Sequence, residues 1–286
     1  MQRLHAALFF RTTLLLLAAV AGLSCTAPSA SPSNAPQLRL LVYNMHAGKD
    51  AGGTDNLARI AALVDSLGAD VVLLQEVDSV TRRSSGIDQP AVLERESGLA
   101  AVFGRTLDFQ GGGYGIAALS RFPVRHDTLI HLAVDPPQER SGGSYEPRGA
   151  LRLDVDGPFG RMTVINTHLD PTGDPHWRRQ EVQGLLAIVA RARESGRTVL
   201  LGGDLNTTPD TPEIARIRDA GLRDAFAECG IGDGRSFPAD APVKRIDYLF
   251  FAGDVRCVEA RVLPGQASDH RALFVRLVAG TAPDAS

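Results

Sequence analysis

The sequence has no internal repeat, no surplus of basic charge and no apolar run long enough to cross a bilayer. Across 286 residues, 30 Lys and Arg stand against 33 Asp and Glu. Neutralising phosphates with Lys and Arg supplies most of the non-specific affinity for a long nucleic acid, so a chain without that bias is poorly suited to grip one. Only Arg178-Arg179 and Lys244-Arg245 form local basic pairs able to meet an isolated phosphate. The apolar run from Thr12 to Leu23 is short for a spanning helix, which needs about 20 residues. Cysteine is scarce too: the three present, Cys25, Cys229 and Cys257, allow at most one internal bridge. What the chain does have is 44% hydrophobic residues, enough to bury a full core in one large domain.

Residues 1–24 have the layout of a secretory signal: Arg3 and Arg11, the apolar run, then small residues up to Ser24. Residues 25–37, rich in Pro, Ser and Ala, read as a flexible tether. Cys25 closes AGLSC, which resembles the lipid-attachment site of bacterial lipoproteins, with Gly22 standing where that motif usually carries Leu. An exported, monomeric protein is expected, periplasmic or extracellular, either released by cleavage or held on the membrane through a lipid on Cys25. Without residues 1–36 the count is 28 basic against 33 acidic, a net of −5. An oxidising compartment allows Cys229 and Cys257 to pair; two buried free thiols are the alternative. Residues 38–279 are left for the folded domain, and 280–286 for a tail.

Along that domain, Leu38 to Tyr43 reads as a strand, and Asp55 to Leu67 carries Leu57, Ile60, Ala61, Val64 and Leu67 at helical spacing. Asp70 to Leu74 is nearly all apolar, the pattern of a strand buried on both faces. Gln89 to Ser97 predicts a helix with Pro90 suited to its first turn. Strands follow at 101–107, 115–119, 124–132, 150–155 and 161–166, the turn at Gly111 to Gly113 making a hairpin of the first two. A helix is predicted over 175–193, a strand over 198–201, a short helix from about Thr211-Pro212, and strands over 246–251, 255–262 and 272–278. About ten strands with three or four helices predict an α/β fold of two packed mixed sheets, a four-layer α/β/β/α sandwich with helices on the outer faces.

Polar residues recur at the ends of these strands: Asn44 in LLVYNMH, Glu76 in VVLLQEVD, His168 in VINTHLD, Asp204 and Asn206 in VLLGGDLN, Asp247 in RIDYLFF, and Asp269-His270 in SDHRALFV. A carboxylate or imidazole beside buried apolar side chains costs several kcal/mol unless it is paired or binds a metal. Their recurrence points to one shared polar site. Asp204 and Asn206, two apart, project to the same side of an extended segment; the alternative is that they cap the turn before Pro209. Further candidates are His46, two beyond Asn44; Tyr114 in GGYG; Trp177 with His176 at the start of a helix beside the site; and Arg148. Arg148 can either fork onto a phosphate or pair with Glu146.

Taken in order, YN, QEV, LSR, NTHLD, GGDLN, IDY and SDH resemble the endonuclease/exonuclease/phosphatase superfamily of metal-dependent phosphoesterases, over about residues 38 to 278. That resemblance implies Mg²⁺, or Mn²⁺ in its place, held by Glu76 with Asn44 and Asp269 completing the site. It also implies Asp204 activating a water that Asn206 orients, Asp247 fixing the imidazole of His270, and His168 donating to a phosphoryl oxygen or the leaving group. His270 would either accept a proton from the water or stabilise the pentacoordinate phosphorus. The expected reaction is hydrolysis of a phosphoester, a phospholipid headgroup or a small diester. The alternatives are an exported nuclease of the same superfamily and a binding lipoprotein that has lost turnover.

Overall fold

Apolar side chains alternate along the long strands, and that alternation sorts the molecule into layers. The computed structural model describes residues 36–137 and 146–280. The expected signal, the Cys25 attachment point, most of the tether and the tail beyond residue 280 lie outside the described residues. In chain order the described elements are β1 (Gln37–Asn44), α1 (Leu57–Leu67), β2 (Val71–Ser79), α2 (Gln89–Ser97), β3 (Ala100–Phe109), β4 (Gly112–Ser120), β5 (Val124–His131), β6 (Gly149–Gly157), β7 (Gly160–His168), α3 (His176–Glu194), β8 (Thr198–Asp204), α4 (Pro212–Asp219), β9 (Arg223–Asp224), α5 (Ala225–Cys229), β10 (Gly230–Ile231), β11 (Asp247–Ala252), β12 (Val255–Val262) and β13 (Leu273–Ala279).

They form a seven-stranded sheet, ordered β10-β12-β13-β1-β2-β4-β3, and a six-stranded one, ordered β5-β6-β7-β8-β11-β9. Leu38, Leu40 and Val42 of β1 pack inward with Leu73, Leu153, Val164, Leu200, Leu249 and Phe251, making the core between the sheets. The intervening residues face outward: Leu41, Tyr43, Val72 and Leu74 meet Ile60, Val64 and Leu93 of α1 and α2. On the other side, Ile165, Val199, Leu201 and Phe250 meet Val182, Leu185 and Val189 of α3 and Ile214 and Ile217 of α4. Each such fully buried aliphatic contributes about 1.5–3 kcal/mol over an exposed one, so both faces of each sheet favour this arrangement. The result is the expected four-layer α/β/β/α sandwich.

α1 begins at Leu57, after Asn56, and stops at Gly68, whose φ of 56° is the left-handed conformation that ends a helix. Sequence periodicity misses the segment β9-α5-β10, because two-residue strands and a five-residue helix are too short to show any. That segment is tied down by a disulfide between Cys229, at the end of α5, and Cys257 in β12, so the cysteines are paired and not free. Among the described residues no helix is long and apolar enough to cross a membrane.

Candidate active site

β1 and β2 run parallel, as do β7 and β8, with α1 and α3 as the respective crossovers. Parallel strands release their C-terminal ends on one side. Asn44, at the end of β1, donates from Nδ2 to Asp204 Oδ2 at the end of β8, 3.1 Å away, so both pairs open onto the same end of the sandwich. The same amide nitrogen donates to Glu76 Oε1 at 3.1 Å. One Asn side chain therefore links a carboxylate of each sheet.

Within the six-stranded sheet, His168, Asp204 and Asp247 are register partners across β7, β8 and β11. β8 reaches that position through Gly202 and Gly203. A Cβ at Gly203, where φ is +146°, would stand 1.9 Å from Thr167 O, and one at Gly202 would stand 2.7 Å from Leu73 of the facing sheet. Glu76 needs a different device. By alternation it would share the outer face of β2 with Leu74, under the helices. A bulge between Leu74 and Val77, with Glu76 at φ 55°, turns its carboxylate into the cleft instead. Such a conformation costs a non-glycine residue about 1–3 kcal/mol, and it persists because the surrounding sheet imposes it. His46 (φ 50°), Ala47 (φ 52°) and Asn206 (φ 49°) are left-handed as well. Asn206 thus departs from the extended geometry expected of it: its N–H donates to Asp204 Oδ1 at 2.9 Å, closing a turn, and its Nδ2 donates to Leu169 O at 3.0 Å.

His270 stands between two acids. Its Nδ1 is 2.9 Å from Asp247 Oδ2, and its Nε2 is 3.6 Å from Asp204 Oδ2. Burial opposes a charge on this ring, but Asp247 and Asp204 outweigh it and push the imidazole up to about 10. Burial likewise raises Asp204 above the usual carboxylate range, against the pull of His270 and the Asn44 hydrogen bond. His168 reaches the same oxygen, its Nε2 lying 3.7 Å from Asp204 Oδ2. Arg148 Nη1 is 3.1 Å from His168 Nδ1. A guanidinium can only donate, so Nδ1 accepts and the proton of a neutral ring lies on Nε2.

Arg148, His168, Asp204 and His270 line a cleft of about 340 Å³ together with Glu76, Tyr114, Asn206, Asp269, Arg83 and Phe237. Burial, helped by Glu76 and Glu146, pushes the Tyr114 hydroxyl well above its ordinary value, so it stays protonated. Arg148 also pairs with Glu146 at 2.6 Å, so the ion pair and the place in the cleft hold together. His46 does not line the cleft. Its N–H donates to Asn44 Oδ1 at 3.1 Å, and its Nδ1 is 4.0 Å from Asp269 Oδ1 at the rim. Trp177 lies elsewhere: its indole N–H donates to Pro136 O at 2.9 Å, fastening the start of α3 to the segment after β5, and the expected place at the entrance is not where it stands.

A divalent cation needs oxygen donors. Asp204, Asp247 and His270 offer donor atoms within 4.8 Å of one another, but a protonated ring hydrogen-bonded at Nδ1 has no lone pair left, and this cluster is better described as an ion-paired triad. Glu76 fits a hard cation better. Glu76 lines the cleft, and among the described residues its carboxylate takes a hydrogen bond from Asn44 alone, at Oε1. Asp269, whose side chain is 30% exposed at the rim, can contribute a second acid. Asn44 directs its oxygen to the His46 amide and its nitrogen to Glu76 and Asp204, and in this orientation it bridges the two carboxylates.

Several supports carried no signal in the sequence. Gln75 Nε2 donates to Asn166 Oδ1 at 2.7 Å, and Asn166 Nδ2 donates to Leu74 O at 2.9 Å and Ala117 O at 2.8 Å, joining the two sheets beneath the site. Ser268 Oγ donates to Asn44 O at 2.7 Å and accepts from the His270 amide at 3.3 Å. Asn56 holds the loop after β1 through Met45 O and Lys49 O, both at 2.9 Å. Arg83, bound through Nε and Nη2 to Asp78 at 2.8 Å each, lies over the rings of Phe109 and Tyr114.

The sequence matches the Endonuclease/Exonuclease/phosphatase family over residues 41–270. Uncharacterized protein YbhP of Escherichia coli (strain K12) is 28% identical over 150 residues, 52% of this chain and 55% of that protein. The chain thus spans about half the length of the curated relatives it matches. Among solved structures, an endonuclease/exonuclease/phosphatase from Beutenbergia cavernae is 26% identical with a TM-score of 0.68, over 87% of this chain and 73% of that one. A mannosyl-6-phosphatase of Bacteroides thetaiotaomicron has the same fold at a TM-score of 0.71 and 18% identity, over 84% of this chain and 99% of that one. Because the match takes in every strand-end motif from Asn44 to His270, the chain belongs to the endonuclease/exonuclease/phosphatase family.

Proposed function

We propose that the protein is an exported, Mg²⁺-dependent phosphodiesterase acting as a monomer on a small or lipid-borne phosphoester, by in-line attack of water. The observation that carries this reading is the Asn44 amide joining Glu76 and Asp204, with charged His270 held between Asp204 and Asp247. Mg²⁺, or Mn²⁺, bound at Glu76 and Asp269 would neutralise the phosphoryl oxygens. Asp204, raised by burial, accepts the proton of the attacking water, which Asn206 helps to orient. His270, already protonated, donates a hydrogen bond to the phosphorane and does not act as the base. His168, its proton fixed on Nε2, donates to a phosphoryl oxygen or the leaving group.

The cleft of about 340 Å³ suits one headgroup or small diester better than a duplex, in keeping with the acidic balance of the chain. Hydrolysis of bis-p-nitrophenyl phosphate is expected with Mg²⁺ or Mn²⁺, is expected to stop with EDTA, and is expected to fall ~10²- to 10⁴-fold in Glu76→Gln. Turnover indifferent to chelation would remove the metal from the mechanism. In a panel of plasmid DNA, RNA, sphingomyelin and phosphatidylinositol, turnover is expected on the lipids, and DNA nicking at catalytic rates would favour a nuclease. Export and a lipid on Cys25 are part of the same proposal, motivated by AGLSC and the Pro/Ser/Ala stretch behind it. Metabolic labelling with palmitate is expected to mark the wild type and not Cys25→Ser; equal labelling of both would dismiss the anchor.

A further inference from the structure

Beside the cleft lies a second cavity of about 530 Å³ that shares Pro171, Asn206, Phe237 and His270 with it. The two differ in charge. The cleft is lined by Glu76, Glu146, Asp204 and Asp269, whereas the side arm has no acid among its described lining residues and carries Arg178 and Lys244 besides His270. Both cations come from the two basic pairs of the sequence, and the fold separates the members of each pair. Arg179 is taken up by Glu213 at 3.0 Å, and Arg245 by Asp224. Arg178, 6% exposed, donates Nη1 to Asp170 O and Thr172 O and leaves its buried Nε without a partner. Lys244 is exposed and forms no ion pair among the described residues.

Arg178 and Lys244 both line a space that has no acid among its described lining residues and opens onto the reacting centre, with Glu181 behind Arg178 sharing part of its charge. We infer that this arm binds a second phosphate of the substrate, carried on the same small alcohol as the ester that is cut. The inference rests on the phosphoesterase reading, and it narrows the substrate class to bisphosphorylated molecules. A phosphate so placed takes charge-assisted hydrogen bonds from Lys244 and stands in the field of Arg178, while Thr207 and Thr208 on the wall of the arm offer hydroxyls.

Calorimetric titration of the wild type in Mg²⁺ with propanediol to hexanediol bisphosphates, each against its monophosphate, tests this. At least one bisphosphate is expected to bind about tenfold tighter than its monophosphate, as one added charge-assisted contact allows. Lys244→Ala is expected to abolish that advantage, Lys244→Arg to keep it, and neither to change hydrolysis of bis-p-nitrophenyl phosphate. Equal affinities across the whole series in the wild type, or an advantage that survives Lys244→Ala, would overturn the inference. Absence of bis-p-nitrophenyl phosphate hydrolysis with the binding advantage intact would instead count against the phosphoesterase reading.

Discussion

Most of the charge in the site turns on His270. An imidazole whose folded pKa is raised contributes stability that is fully present below its unfolded value of about 6.5 and is lost as pH rises through about 10. Asp247→Asn removes the strongest of the groups that raise it, so the stability gap between wild type and variant is expected to be widest near pH 6 and to close by pH 10. Thermal melts across that range measure it, and a gap independent of pH would show that Asp247 does not govern the ring. Hydrolysis in the variant is expected to fall ~10²-fold or more as the imidazolium loses its orientation. Asp247 and His270 are legible in the sequence because an acid and an imidazole beside apolar runs have no place in a core without partners. Gln75 in QEV and Asn166 in NTHLD give no such signal. A neutral amide is unremarkable at a strand end, and only the meeting of two sheets reveals that these two bond each other. Trp177 misleads for the opposite reason: it follows His168 closely in sequence, but its indole is turned to Pro136 O and is not among the residues that line the cleft.

Elements bring these residues together by two local departures from regular strand geometry. One is legible: the paired glycines before Asp204 mark a place where backbones approach too closely for a side chain. Gly203→Ala places a methyl against Thr167 O, between two paired parallel strands, and is expected to cost about 3 kcal/mol or more, read as a lowered urea midpoint. A loss below about 0.5 kcal/mol, the range of an ordinary surface change, would show that β7 and β8 can part without harm. The other is not legible. A left-handed Glu has no sequence signature, so QEV reads as an ordinary alternating strand and puts Glu76 on the wrong face. The bulge that corrects it arises from pairing with β4, a partner some forty residues away.

At the scale of the whole molecule, strand count and the order of the motifs suffice for the architecture, since an outward and an inward apolar face on every long strand leave few ways to pack them. A further contribution to the pH dependence of stability comes from Glu181 on α3. Burial pushes its carboxyl up to about 7, although its Oε2 accepts the Asp170 amide at 2.8 Å. From about 4.5 to 7 the folded protein binds more protons than the unfolded one, so stability falls as pH rises through that window. Glu181→Gln is expected to leave stability unchanged at pH 4 and to raise it by about 3 kcal/mol at pH 8, measured by urea denaturation. No gain at pH 8 would place the acid in a setting more favourable to its charge. One consequence concerns the order in which the protein is made. β13, the last of the described strands, is inserted between β12 and β1, the first of them, with Gln37 opposite Val278. β1 therefore has β2 as its one strand neighbour until β13 has emerged, so the sheet that carries Asn44 and Glu76 closes late however early its other strands pair.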